Sequence, residues 1–139
     1  MICVDANVVI RLVLGGEHAE LIAERWKSLR KSGRTVAAPS LLRYEVCNVV
    51  RRYAVMGVIT DEEAAAALDT VLDLRIALNA DPSMHRRALA IATSLGLPST
   101  YDAHYLALAD MLATPLLTLD RRLARRVEGT ELEIELLGG

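Results

Sequence analysis

Four acidic residues stand where a fold could bring them together: Asp5, Glu45, Asp102 and Asp120. Asp5 ends the apolar run ICVD (2–5), and Asp120 ends PLLTLD (115–120). Asp102 opens a helical stretch after LPST (97–100). Glu45 lies in the helix after TVAAP (35–39), beside an inward arc of Leu41, Leu42, Val46 and Val49, with Arg43 and Arg51 free to point outward. Each acid has a local explanation. Asp5, Asp102 and Asp120 could each cap a helix, and Glu45 could pair with Arg52 or Arg11. Carboxylates brought together repel, and their pKa values rise unless a cation neutralises them. All four are hard oxygen donors with no His or Cys among them, a set that suits Mg²⁺ or Mn²⁺ rather than Zn²⁺.

Whether the four meet depends on the elements that carry them. Short runs rich in β-formers (2–5, 35–39, 75–80, 115–120 and 132–136) alternate with helical stretches. Gly15-Gly16, Gly33, Gly57 and Gly96 stop the first helices. Thr60 with Glu63 reads as a capping box, and Asp81-Pro82-Ser83 as another helix start. Helices are expected over 7–14, 17–31, 40–56, 61–74, 82–95, 101–112 and 121–127. This alternation predicts an α/β fold with three layers, α/β/α, around a short-stranded, mostly parallel central sheet. In such sheets, sites form beyond the carboxyl ends of the strands. Asp5, Asp120 and the loop before Asp102 then share one edge, and Glu45 approaches it from its helix. The four local explanations have no reason to converge, yet this fold brings the acids together.

Length and composition agree. At 139 residues the expectation is a single domain spanning 1–139, long enough to bury its own core. Hydrophobic residues make up 53% of the chain, which argues against disorder. No apolar run reaches the length of a membrane span. The N-terminal stretch lacks a basic start and is interrupted by Asp5 and Arg11, unlike a signal peptide. Cys3 and Cys47 sit in apolar contexts without ligand spacing. The expectation is that both are reduced and buried in a cytoplasmic protein. The net charge of −2 gives no global sign of a polyanion partner; neutralising the four acids moves it to +2. Arginine dominates the basic residues, with only Lys27 and Lys31 as lysines. Arg suits bidentate phosphate contacts, although genome composition explains the skew equally well. His18, His85 and His104 form no site by spacing. His104 alone lies near an acid, two residues after Asp102. A Gly-rich phosphate loop, a CxxC pair and a nucleophile elbow are all absent.

The order VDANVV, SLLRYEVCNVVRR, STYDAHYLALA and PLLTLDRRLAR resembles the PIN-domain ribonucleases, and most closely the VapC toxins of bacterial and archaeal toxin–antitoxin pairs. The resemblance runs across nearly the whole chain. It implies that Asp5, Glu45, Asp102 and Asp120 are both the catalytic and the metal-ligating residues, holding one or two Mg²⁺ or Mn²⁺ ions. Asn7 and Thr118 match supporting polar positions. Asn7 could contact water or phosphate, or cap its helix; Thr118 is expected to hold an acid in its rotamer. Ala6 stands where a hydroxyl residue is also common in the family. The implied activity is hydrolysis of phosphodiester bonds in single-stranded or looped RNA, because duplex RNA hides its bases. Arg11, Arg43, Arg121, Arg122 and Arg125 could steer the RNA backbone, or simply solvate the surface. The implied partners are a VapB-like antitoxin and a second copy of the chain. The apolar segment 53–72 would serve these contacts or pack as a helical hairpin into the domain.

Other folds also gather acids at strand ends. A receiver-type signalling domain needs a lysine at the end of a late strand, and both lysines lie in an early helix. A haloacid-dehalogenase-like phosphatase needs a second Asp where Asn7 stands. A PIN fold that binds RNA or protein without cutting, or a metal-dependent nuclease acting on DNA, remains open on sequence.

Overall fold

The computed structural model describes residues 1–138. Five short parallel strands form one sheet: β1 (Ile2–Val4), β2 (Val36–Pro39), β3 (Ala77–Asn79), β4 (Leu116–Thr118) and β5 (Ile134–Leu136). Their spatial order is β3-β2-β1-β4-β5. The chain steps outward from β1 to β2 and β3, then crosses back to place β4 on the other side of β1. The switch point of the topology thus lies between β1 and β4, where open parallel sheets form their crevices. Register fixes the edge: Val4 stands opposite Leu117, Pro39 opposite Asn79, and Thr118 opposite Leu136. The residues after Val4, Pro39, Asn79 and Thr118 therefore emerge along one rim.

Among the described residues, seven helices cover the sheet: α1 (Ala6–Leu14), α2 (Ala19–Lys31), α3 (Leu41–Val55), α4 (Asp61–Asp73), α5 (Pro82–Leu95), α6 (Tyr101–Met111) and α7 (Arg121–Arg126). The α6 helix lies against β1, β2 and β4, with α5 packed on it. Its central turns are enclosed, with Ala103 and Tyr105 to Ala109 all buried, as expected where a helix is apolar on every side. The other layer joins α1 to α4, with α1 against β4 and α3 against β2. The expected three-layer α/β/α architecture is the one found.

Two expectations need correction. The second helix begins at Ala19 rather than Glu17, because His18 adopts a left-handed backbone (φ 63°) after Gly15 and Gly16, which also have positive φ. Cys47 is exposed, whereas Cys3 is buried. The inward stripe of α3 is Leu42, Val46 and Val50. A helix turns about 100° per residue, so Cys47 lies one step off the stripe despite its apolar neighbours. Burial pushes the Cys3 thiol far up, and the Asp5 charge adds to the effect.

Local chemistry sets most of the helix ends. Thr60 and Glu63 make the capping box, with Glu63 N–H donating to Thr60 Oγ1 at 3.0 Å and Thr60 N–H to Glu63 Oε1 at 3.2 Å. Asp81 caps α5, with Pro82 at its first position. Gly96 ends that helix in the left-handed region (φ 66°), letting Leu97 N–H reach back to the Ala92 carbonyl at 2.9 Å. The edge strand β5 is tied to α2 by a two-point ion pair: Arg25 Nε and Nη2 donate to Glu135 at 2.8 and 2.9 Å.

Candidate active site

Asp5 directly follows β1 and caps α1, its Oδ1 accepting from Ala6 N–H at 2.8 Å. Its other oxygen accepts from the Thr118 hydroxyl at 2.8 Å. Thr118 is fully buried at the end of β4. With its hydrogen directed at Asp5, its oxygen accepts from Asp120 N–H at 3.0 Å and from Asn7 Nδ2 at 3.4 Å. Asn7 Oδ1 in turn accepts from Leu119 N–H at 3.3 Å. Asn7 therefore bridges β1's helix to the turn after β4, and the cap of α1 is Asp5 instead. One hydroxyl holds Asp5, Asn7 and the turn carrying Asp120 in register.

Asp120 caps α7, its Oδ1 accepting from Leu123 N–H at 3.0 Å. Glu45 lies one turn into α3, half-buried, and accepts from the Tyr105 hydroxyl at 2.7 Å rather than from Arg52 or Arg11. Tyr105 is almost wholly enclosed; sequence reasoning missed it, because its ring reads as ordinary α6 core. Asp102 stands in the first turn of α6, with its outer side exposed. The local capping readings hold for Asp5 and Asp120, and those caps coexist with a shared edge.

The four carboxylates influence one another in series. Burial pushes the Asp5 carboxyl up to about 7; the Thr118 and Ala6 hydrogen bonds oppose this, and Asp102 and Glu45 add to it. Glu45 is raised by burial, opposed by the Tyr105 hydrogen bond and reinforced by Asp102. Asp102, although exposed, is raised by the loss of part of its hydration and by the Asp120 charge. Among the described residues, no Lys or Arg forms an ion pair with any of the four. Every protein hydrogen bond they accept comes from an uncharged group.

The donor set fits a hard divalent cation. Among the described residues, no three His, Cys, Asp or Glu side chains already form a metal cage. Mg²⁺ does not require one, because it commonly keeps several waters and takes only one or two carboxylates plus substrate oxygens.

Of the arginines expected to meet RNA, Arg11 and Arg121 line one polar cavity with Asn7, His18 and Leu119, of about 400 Å³. This cavity adjoins the Asp5–Thr118 network on the β4 side. Arg121 also donates to the Gly138 carbonyl at 2.6 Å. Arg43, Arg122 and Arg125 are exposed on α3 and α7. His85 and His104, unlinked by spacing, meet with Nδ1 of His85 2.8 Å from Nε2 of His104.

The PIN domain family profile matches residues 2–129. Ribonuclease VapC12 of Mycobacterium tuberculosis is 31% identical over 137 residues, covering 99% of each chain. Ribonuclease VapC3 of Pyrobaculum aerophilum is 34% identical over 125 residues, covering 88% of this chain and 92% of the relative. Among solved structures, VapBC2 from Rickettsia felis, bound to a DNA fragment from its promoter, superposes with a TM-score of 0.74 at 17% identity, covering 98% of both chains. A toxin–antitoxin complex from Klebsiella pneumoniae gives 0.63 at 20% identity, covering 94% of this chain and 93% of that one.

Proposed function

The chain belongs to the PIN-domain family, and from that premise we propose that it is a Mg²⁺- or Mn²⁺-dependent endoribonuclease, the toxin of a toxin–antitoxin pair. One observation carries the reading: the Asp102 and Glu45 charges act on Asp5, the Asp120 charge acts on Asp102, and every hydrogen-bond donor to Asp5, Glu45 and Asp120 is neutral. A protein that needed these acids only as caps or ion pairs would not leave their charges mutually uncompensated. A bound divalent cation would supply Lewis-acid stabilisation of charge on the phosphodiester and make water a competent nucleophile at neutral pH.

The protein's own part is placement. Asp5 is clamped at both oxygens, so it offers a fixed ligand direction. Tyr105 sets the Glu45 rotamer. Asp102, with its outer side open, is the acid best placed to turn toward cation or substrate. Asp120 is anchored through one oxygen and leaves the other for coordination. In-line attack on phosphorus would leave a 5′-phosphate and a 3′-hydroxyl, without a covalent protein intermediate. Arg11 and Arg121 would neutralise phosphates beside the acidic edge, with Arg43, Arg122 and Arg125 adding long-range attraction.

The names of the relatives support both a ribonuclease activity and a VapB-like antitoxin as partner. A homodimer is proposed from the exposed apolar group at the α3–α4 turn, Val55, Met56 and Val58. Among the described residues no helix is long and apolar enough to cross a membrane, and the cytoplasm is the proposed location.

The test is cleavage of single-stranded RNA by the purified protein. Asp5→Asn and Asp102→Asn should each reduce cleavage to background while circular dichroism shows an unchanged fold. Chelator should do the same to the unsubstituted protein, and Mg²⁺ or Mn²⁺ should restore it. Cutting by the Asn variants at the unsubstituted rate would sink the metal-site reading.

A further inference from the structure

Beside the acidic edge, on the β2–β3 side, lies a cavity of about 310 Å³. This is near the lower end of the range for small-molecule pockets, roughly 300–1,000 Å³. Its floor includes Pro39, Leu41 and Met84, and its lining is mostly apolar. Tyr44 and Tyr101 also line it, and both rings are largely exposed, at 76% and 60%. Each tyrosine directly precedes a candidate catalytic acid, Tyr44 before Glu45 and Tyr101 before Asp102. Two large aromatic faces left in water beside a hydrolytic site contribute little to the fold. They do present flat apolar surface next to the scissile position.

The two histidines give the cavity a polar element. His104 Nδ1 lies 2.6 Å from the Thr100 carbonyl, which can only accept, so Nδ1 carries the hydrogen. In the neutral ring His104 Nε2 is then an acceptor, and His85 Nδ1–H donates to it at 2.8 Å. His85 Nε2 is left as the acceptor at the end of this relay, and both rings line the cavity. Every nucleobase carries an N–H donor on its pairing edge, and unstacked bases are read by aromatic stacking plus such edge contacts.

We propose that this cavity is a nucleobase subsite, which takes one unstacked base of the single-stranded RNA next to the phosphate cut at the acidic edge. The proposal rests on the ribonuclease reading above. It adds a requirement that reading does not contain: a base, and not only a sugar–phosphate chain, must sit at one defined position. Tyr44 and Tyr101 line the cavity and stand next in sequence to Glu45 and Asp102, which places the cavity beside the acidic edge. The cavity of Arg11 and Arg121, which Glu17 also lines, lies on the opposite, β4 side, so a strand crossing the edge would meet aromatic rings on one flank and two arginines on the other.

The test uses short single-stranded RNAs with 2-aminopurine placed at each position in turn, and twins lacking the base there. Binding is read in the full-length Asp102→Asn protein with Mg²⁺, and cleavage in the unsubstituted protein. At one position the fluorescence should fall on binding, and removing that base should weaken binding about tenfold, the scale of one base–aromatic stack. Tyr44→Ala and Tyr101→Ala should weaken binding of the intact RNA by a similar factor and leave the base-free RNA unaffected. Tyr44→Phe and Tyr101→Phe should retain the stack, which separates loss of the ring from a damaged fold. The proposal is overturned if no position depends on its base, or if the alanine variants bind the intact RNA normally. It is also overturned if those variants only convert a dimer to a monomer in light scattering, which would make the cavity an interface between copies. Base-dependent binding without any cleavage would leave the pocket standing and remove the ribonuclease reading; cleavage indifferent to every base would do the reverse.

Discussion

Thr118 is the residue on which the geometry of the acidic edge converges. Its single hydroxyl donates to Asp5 and accepts from Asp120 N–H and Asn7, inside a fully buried site. Thr118→Val keeps the shape and deletes all three bonds. The expected result is a stability loss of about 1–3 kcal/mol and cleavage lowered about 10- to 100-fold, with Thr118→Ser restoring most of both; denaturant melts and initial rates would measure them. Asp5 carries a pH consequence as well. Its folded pKa is raised from 3.8 to about 7, so between those values the folded, metal-free protein holds a proton that the unfolded chain has released. Stability therefore falls as pH rises through that window. The raised Glu45 and Asp102 carboxyls act in the same direction. In chelator, the melting temperature should drop from about pH 4 to about pH 7, and less steeply in Asp5→Asn; a rise over that range would contradict the assigned shift. Much of this was legible from residue types: Asp5, Asp102 and Asp120 from their places after strand or loop, Glu45 from its discomfort beside an apolar stripe. The Tyr105–Glu45 bond and the His85–His104 contact were not, because each joins residues on different helices whose relative rotation no local pattern encodes.

At the scale of elements, the signals that survived are those whose physics is local. The Thr60–Glu63 box, the Asp81-Pro82 start and the Gly96 stop act over a few residues, and each lies where the sequence put it. Thr60→Ala should cost about 1 kcal/mol of stability and leave the cleavage rate per folded molecule unchanged, since α4 carries none of the four acids. Where an assignment depended on phase or strain, the sequence was less informative. Cys47 is apolar in type but off the buried stripe of α3. The start of α2 moved because His18 adopts an uncommon positive φ, which residue type does not announce. Strand bounds also shrank: PLLTLD contributes only Leu116–Thr118 to the sheet, and Asp120 lies two residues beyond it as the cap of α7. That shift helps the site, since a cap position fixes one carboxylate oxygen while freeing the other.

For the whole molecule, charge and exposed apolar surface make the remaining predictions. Affinity for single-stranded RNA should fall steeply with salt, and Arg11→Gln or Arg121→Gln should each flatten the log–log slope by about 0.7, the change expected for losing one phosphate contact to a single strand. Met56→Asp should shift the protein from dimer to monomer in light scattering at tens of micromolar without altering its secondary structure; an unsubstituted protein that is already monomeric there would rule out the proposed dimer. The sheet order has a further consequence, for synthesis. Asp5 emerges from the ribosome 113 positions before the hydroxyl that clamps it. At about 5–20 residues per second, that interval lasts roughly 6 to 23 seconds. Until β4 docks beside β1, Asp5 lacks its Thr118 clamp and the edge lacks its fourth acid. A chain that stops short of β4 therefore lacks both the clamp and the fourth acid however well its first half has folded, and on the proposed reading such a chain should not cut RNA.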